Sequence, residues 1–306
     1  MDHRIIDQVL AQDNLRAAWE EVARNKGAPG VDRVSVRRWR RNWEERLVNL
    51  AQAVRANTYE PAPLRRFSRP KKSGGYRHFA NLTVTDRVIQ RAVLRVLDDH
   101  FERIFLDCSY GYRPGRSVAD AVRQIVLLRE NGFWWVLDGD IDECFDSLDH
   151  ELMLRFFEQE VHDPIVRRLV RLWLKVGRRD PDVPKGIPLG AVISPLLCNV
   201  YLHQLDLQLT RLGYRLTRYA DDFCAFCESQ RRARQAWADS DEILDEMRLR
   251  LEPNKTKIAS FDEGFDYLGV WFERDEYSYQ WKDKRIEVKG DFNWLFYDYI
   301  PDGYRS

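Results

Sequence analysis

Two adjacent aspartates, Asp221 and Asp222, stand inside an otherwise apolar run, Tyr219-Ala220-Asp221-Asp222-Phe223, with Leu216 before it and Ala225-Phe226 after. Side chains alternate faces along an extended strand, so neighbouring carboxylates serve one site only where the chain turns. The pattern predicts strand, turn, strand. Two carboxylates about 4 Å apart repel by roughly 4 kcal/mol at an effective dielectric of ~20, and a bound cation is the usual remedy. Hard oxygen donors suit magnesium. In a polar context the same pair would read as a solvated hairpin tip, and the apolar flanks argue against that here. A second acidic group follows the apolar run Phe133-Trp134-Trp135-Val136-Leu137, where alternation sets Asp138, Asp140 and Asp142 on one face. Any of the three could complete a metal site with Asp221 and Asp222.

The elements that must position these groups are legible in outline. Thr83-Val84-Thr85-Asp86 supplies capping residues ahead of Val88, Ile89, Ala92, Val93, Val96 and Leu97, whose spacing keeps one helical face apolar. Ser117 caps a second helix running through Leu128, and a helical pattern covers residues 151–176 with a break at Asp163-Pro164. Ser194-Pro195 reads as an N-cap with proline at the first helical position, opening a helix to about Leu212, and residues 233–249 form another amphipathic helix. Strands are expected at residues 133–137, at 218–226 as a hairpin, and at 257–260 and 265–272. Residues 61–75, rich in Pro, Lys, Arg and Gly, read as extended or mobile loop with a hairpin tip at Lys71-Lys72-Ser73-Gly74-Gly75.

Composition sets the frame. The 306 residues are 44% hydrophobic, enough for a sizeable core in one large or two modest domains. No run of eighteen apolar residues occurs and the start, Met1-Asp2-His3-Arg4, is polar, so a cytoplasmic protein without a membrane span is expected. Five scattered cysteines fit reduced thiols, and the Cys224/Cys227 spacing lacks the second pair of a zinc knuckle. The 49 basic and 49 acidic residues cancel, which is unusual for a nucleic-acid enzyme. Basic residues nevertheless gather at 33–41, 65–72, 113–116 and 167–179, and acidic ones at 138–149 and 239–246. The basic clusters could line a groove.

From about Asn25 to Gly269 the chain resembles the reverse transcriptases, in the branch similar to group II intron enzymes. Asn25-Lys26-Gly27-Ala28-Pro29-Gly30-Val31-Asp32 is similar to the N-terminal extension motif of that branch. Gly75-Tyr76-Arg77, Thr83 to Gln90, and Gly111-Tyr112-Arg113-Pro114-Gly115-Arg116-Ser117 resemble the blocks that follow. Asp140-Ile141-Asp142-Glu143-Cys144-Phe145-Asp146 looks like the first palm motif, Gly186-Ile187-Pro188-Leu189-Gly190 with Ser194-Pro195-Leu196-Leu197 the second, and Tyr219-Ala220-Asp221-Asp222 the third. Residues 251–257 and Tyr267-Leu268-Gly269 resemble the last two.

The resemblance implies an α+β fold, a right-hand polymerase palm and fingers with an antiparallel palm sheet packed on helices and the thumb absent or rudimentary. It divides the chain into an N-terminal extension (1–60), fingers (61–130, with part of 150–185 interleaved), a palm (131–272) and a short tail (273–306). It selects Asp140, with Asp221 and Asp222, as ligands of two Mg2+ ions for which Mn2+ could substitute, with the Ile141 carbonyl as a backbone ligand. Such a pair activates a primer 3′-hydroxyl and steadies the leaving pyrophosphate. Phe145 would lie under the sugar of the incoming deoxynucleotide and exclude a 2′-hydroxyl. Arg77 with Lys71 or Lys72 would clamp the triphosphate, Gly190 would line the substrate site, and Lys255 would donate a proton to the pyrophosphate. Two departures stand out: Leu189 replaces the usual glutamine, and His78-Phe79-Ala80-Asn81 replaces a Pro-Leu-Gly-Ile run.

The implied partners are an RNA template, a DNA or RNA primer and dNTPs. With 37 residues after Gly269, and Ser194 followed by proline rather than glutamine, the chain is similar to the reverse transcriptases attached to CRISPR adaptation modules, which work with a spacer integrase. The aromatic tail (Trp294, Phe296, Tyr297, Tyr299, Tyr304) would pack on such a partner or close the chain's own core. The alternatives are another defence-associated or intron-like reverse transcriptase, or a catalytically idle nucleic-acid-binding scaffold.

Overall fold

The computed structural model describes residues 5–70, 74–281, 284–290 and 292. Lys71 and Lys72 and the five aromatic tail residues lie outside them. The chain divides into two compact units: one takes the chain up to Ile104 together with Glu143–Tyr201, the other Phe105–Asp142 together with the chain from Leu202 onward.

The first unit is mainly helical. It contains α1 (Ile5–Val9), α2 (Gln12–Arg24), α3 (Val36–Trp39), α4 (Trp43–Arg55), the hairpin β1 (Arg65–Pro70) and β2 (Tyr76–Asn81), and α5 (Val84–Phe101). After the second unit's first segment, which holds α6 (Val118–Glu130) and β3 (Trp135–Gly139), it resumes with α7 (Cys144–Ser147), α8 (His150–Glu160) and α9 (Pro164–Gly177). Helix α5 is capped as its sequence predicts: the Thr83 hydroxyl accepts from Asp86 N at 3.1 Å, and Asp86 in turn accepts from the Tyr59 hydroxyl at 2.6 Å. Its apolar stripe (Val88, Ile89, Ala92, Val93, Leu97) is wholly enclosed. The break at Asp163-Pro164 is real, with the Asp163 carboxylate accepting from Ile165 N and Val166 N at the start of α9. Gly30 lies so close to α5 that a Cβ there would stand 2.6 Å from Thr83 N, which fixes the extension loop on the helix start.

Helix α10 (Ser194–Arg211) carries the chain into the second unit, followed by β4 (Arg215–Tyr219), β5 (Asp222–Cys227), α11 (Gln230–Glu246), β6 (Lys257–Ser260), β7 (Phe265–Tyr267), β8 (Val270–Glu273), β9 (Glu276–Trp281) and β10 (Lys284–Lys289). One four-stranded sheet has the order β4-β5-β3-β6, the other β10-β9-β8-β7, and every pair is antiparallel. The unit's core joins Val122 and Ile125 of α6 to Val136, Phe226 and Phe261, and these to Phe265, Phe272 and Tyr277 of the second sheet. The rings of Phe265 and Phe272 stack at 5.2 Å, and Phe261 meets Phe265 edge-on at 5.1 Å. This mixed helix and antiparallel-sheet architecture is the α+β class the sequence led us to expect.

Several sequence expectations are corrected. Ser194 is the first residue of α10 rather than its cap, because its hydroxyl donates to the Pro188 carbonyl at 2.9 Å. The single strand expected at 265–272 is a hairpin, since Leu268 and Gly269 both take positive φ (55° and 75°) and form the two-residue turn whose twist suits paired strands. Residues 61–75 are not loop throughout: β1 and β2 pair from Arg65↔Asn81 to Pro70↔Tyr76. Beyond β8 the second sheet continues with β9 and β10.

Candidate active site

The hairpin β4–β5 turns at Ala220 and Asp221, between the paired residues Tyr219 and Asp222. Ala220 has φ +58°, at the position of such a turn where glycine is the usual occupant. The turn resolves the puzzle of adjacent aspartates by setting Asp221 at the tip and Asp222 at the head of β5. On the neighbouring strand, Gly139 pairs with Phe223, so continuing the register by one residue sets Asp140 opposite Asp222. Cross-strand partners share a face. A Cβ at Gly139 would lie 2.4 Å from the Phe223 ring, so glycine there lets the two acid-bearing strands close up.

The three candidate aspartates after β3 are no longer equivalent. Asp138 is opposite Lys257, with 3.4 Å between carboxylate and ammonium, and burial pushes its carboxyl up to about 6 against the pull of that lysine. Asp142 lies in a turn beyond the strand, its N–H donating to Arg250 O at 2.9 Å. Asp140 sits between them at the strand end. Its carbonyl accepts from Glu252 N at 2.8 Å and its carboxylate from Lys255 Nζ at 2.9 Å. That bond, ahead of the added charges of Glu252 and Asp222, holds the Lys255 ammonium above its ordinary pKa. Ile141 forms an antiparallel bridge with Leu251 in which the hydrogen bonds are made by Asp140 and Asp142. In such a pair the middle residue's own N–H and C=O point away from the partner strand. The Ile141 carbonyl is therefore directed away from the 250–252 segment.

This donor set suits a hard divalent cation: carboxylates from two adjacent strand ends and the turn between strands, and a backbone carbonyl outside the local ladder. Among the described residues no three acidic, histidine or cysteine side chains form a closed cation cage. One oxygen of Asp140 is instead committed to Lys255.

The remaining described site residues lie in the first unit. Phe145 is on α7, and its carbonyl accepts from Ile187 N at 2.7 Å. Leu189 forms a parallel bridge with Phe79 of β2, and its carbonyl accepts from Ala80 N at 2.8 Å. Gly190 has φ +96°, and a Cβ on it would stand 2.8 Å from Ala80 O. The second palm-like motif is thus sewn to both Phe145 and the β2 strand that carries Arg77. Arg77 itself is exposed, opposite Arg69.

Two positioning groups had no assigned role in the sequence reading. The Tyr267 hydroxyl shares its proton between Thr217 O (3.1 Å) and Asp222 O (3.0 Å), tying β7 to the base of the acidic hairpin. A Cβ on Gly111 would lie 2.4 Å from Ala220 N. Both residues sit in strings that carried the family resemblance, but what each touches depends on the tertiary fold.

An antiparallel sheet that presents carboxylates from a strand end and a neighbouring hairpin is the palm arrangement of a nucleotidyl-transferring polymerase. Residues 69–272 match the family "Reverse transcriptase (RNA-dependent DNA polymerase)", and the chain belongs to that family. It is 28% identical over 313 residues to Protein YkfC of Escherichia coli K12, spanning 87% of this chain and 82% of that protein. It is 33% identical over 228 residues to the group II intron-encoded protein LtrA of Lactococcus lactis, spanning 70% of this chain but 36% of LtrA. Among solved structures it aligns with a chain of a partial Cas6-RT-Cas1–Cas2 complex at 25% identity, covering 80% of this chain and 42% of that one (TM-score 0.46). Telomerase from Candida albicans aligns over 78% of this chain and 48% of that one at 11% identity (TM-score 0.56), a likeness of fold. Among the described residues no helix is long and apolar enough to cross a membrane.

Proposed function

We propose that the chain adds deoxynucleotides to a primer 3′-hydroxyl on an RNA template, with Asp140, Asp221 and Asp222 as its metal-binding carboxylates, and that it does so in the acquisition of spacers from RNA beside a CRISPR adaptation integrase. The observation that carries the polymerase half is the register placing Asp140 opposite Asp222 beside the Asp221 turn, in a chain matching the reverse transcriptases over residues 69–272. The spacer-acquisition half rests on the resemblance of the sequence motifs.

Asp140, Asp221, Asp222 and the Ile141 carbonyl would hold two magnesium ions. When bound, these ions would lower the pKa of the primer hydroxyl and neutralise charge on the phosphates. Lys255, whose ammonium donates to Asp140 at 2.9 Å, would stand beside the site and donate a proton to the leaving pyrophosphate. Arg77 and the lysines at 71 and 72 would hold the triphosphate, a task suited to a guanidinium that bridges two phosphate oxygens. Phe145, whose carbonyl accepts from Ile187 N, would with Gly190 bound the sugar of the incoming nucleotide and exclude a 2′-hydroxyl.

Primer extension on RNA and DNA templates, comparing the parent with Asp221→Ala/Asp222→Ala, tests the chemistry. Incorporation by the parent and none by the variant supports the proposal; no incorporation by the parent with either Mg2+ or Mn2+ returns the scaffold reading. Sequencing of spacers acquired in cells tests the setting. Loss of RNA-derived spacers alone in the double variant is expected, and an unchanged spacer population would remove the acquisition role.

A further inference from the structure

Arg218 is wholly enclosed on β4, and its guanidinium links α10 and the 105–109 loop to the acidic hairpin. Nε donates to Asp206 Oδ1 at 2.7 Å and Nη2 to Asp206 Oδ2 at 2.6 Å, a two-pronged pair with a carboxylate on α10 that is itself 1% exposed. Nη2 also donates to Ser109 Oγ at 2.8 Å, and Nη1 donates to the Ala220 carbonyl at 2.8 Å. That carbonyl belongs to the peptide joining Ala220 to Asp221. A peptide is planar, so fixing the direction of its C=O also fixes the N–H of Asp221 and the angle at which the chain enters that residue. Ala220 holds a positive φ, a conformation that a residue with a Cβ keeps only where its surroundings enforce it.

The main chain of Arg218 is fastened as firmly as its side chain. Its N–H donates to Cys108 O at 2.7 Å and its carbonyl accepts from Tyr110 N at 2.8 Å. The loop that supplies these partners is gathered by a second buried arginine, Arg113, whose Nη1 donates to Leu106 O at 2.6 Å and Ser109 O at 2.8 Å. A train of contacts therefore runs from Arg113 through the 105–109 loop to Arg218, and from Arg218 to the peptide before Asp221.

We propose that Arg218 and Asp206 are positioning residues that set the Ala220–Asp221 peptide, and through it the two hairpin carboxylates, for cation binding; the proposal rests on the reading of this site as a polymerase metal site. The competing role is plain stabilisation, and the physics of buried ion pairs separates the two. An apolar pair of similar volume commonly replaces a buried ion pair with little loss of stability. What an apolar pair cannot do is donate to the Ala220 carbonyl.

The experiment compares the full chain with Arg218→Met/Asp206→Leu and with Arg218→Lys, which keeps a charge for Asp206 but loses the planar fork. Amide hydrogen exchange at residues 219–223 is read first, then Mn2+ binding by electron paramagnetic resonance without nucleotide, then the Mg2+ half-saturation of primer extension against the KM for dNTP. We expect exchange at the hairpin to quicken about ten-fold while β3 is unchanged, and Mn2+ binding and Mg2+ half-saturation to weaken about ten-fold, the scale on which groups supporting metal ligands act. The dNTP KM at saturating metal should stay within about two-fold of the parent. A folded double variant with parental exchange and parental Mn2+ affinity overturns the proposal. Should the double variant fail to fold, Arg218→Lys decides by the same readouts. Absence of extension by the parent counts against the polymerase reading, whereas hairpin exchange still decides for or against the anchor.

Discussion

Gly111→Ala adds one methyl group at a point where the chain has no room for it. The new Cβ would stand 2.4 Å from Ala220 N, 3.0 Å from Tyr219 C and 3.1 Å from the Tyr219 ring, while ordinary contact begins at 3.4 Å. The closest clash is with backbone, so no rotamer change relieves it, and the hairpin must retreat by about 1 Å or the 108–112 loop must. The backbone bonds of Cys108 and Tyr110 to Arg218, with Arg113, tie the loop to β4, so neither side can yield without disturbing the hairpin. A misplacement of about 1 Å in a catalytic group is worth on the order of 10²-fold in rate. Overpacking of this kind also costs about 1–3 kcal/mol of stability. Single-nucleotide incorporation under saturating substrate should therefore fall about 100-fold in kcat, with a modest drop in melting temperature. Gly115→Ala is the control: its φ of +72° strains a Cβ, but nothing lies within 4 Å, so it should lose about 1 kcal/mol of stability and little rate. Parental kcat in Gly111→Ala would refute the claim that this glycine sets the hairpin's place.

Two further outcomes are expected. Phe145→Ala should admit ribonucleotides, raising their incorporation relative to deoxynucleotides by about 10-fold or more, as removal of a steric block does; unchanged sugar discrimination in a competitive extension assay removes Phe145 from the substrate site. Asp98 on α5 has its carboxyl pushed up to about 6, by burial first and by Asp99, Glu102 and Glu21 against the pull of Arg91. Between the ordinary carboxylate range and about 6 the folded chain holds more protons than the unfolded one, so this group's contribution makes stability fall as pH rises through that window. Asp98→Asn should thus stabilise the protein at pH 7 by about 1 kcal/mol, a ceiling of roughly 3 kcal/mol reduced by solvent screening, and have no effect below about pH 4. Denaturant unfolding at the two pH values measures the difference, and an equal gain at both would point to packing rather than charge.

The Asp221-Asp222 hairpin could be read from the chain because its evidence is local: apolar flanks, a two-residue interruption and the alternation of a strand. The third carboxylate could not. A side-chain period of two makes Asp138, Asp140 and Asp142 equivalent on paper, and the distinction arises from partners distant in sequence, Lys257 for the first and Arg250 for the last. The family resemblance selected Asp140 where spacing had no means to do so. Helix starts at Thr83 and Ser117 were legible from capping chemistry and the break at Asp163-Pro164 from its proline, whereas Ser194 failed because a nearby carbonyl, Pro188, claims its hydroxyl. Strand β9 was overlooked even though Tyr277 and Tyr279 alternate with Ser278 and Gln280, since its aromatic content lay beyond the last recognisable motif. Arg218, Gly111 and Tyr267 act on backbone atoms, and backbone neighbours leave no mark on composition or period.

The lysine at 255 reaches Asp140 from the loop that follows the 250–252 bridge. A cluster of acids at adjoining strand ends is costly to hold together, because uncompensated carboxylates push their strands apart. By lending Asp140 a tethered ammonium, the fold supplies a positive charge of its own beside the hairpin, so on the proposed reading chelation of the metal would stop incorporation without dismantling the sheet.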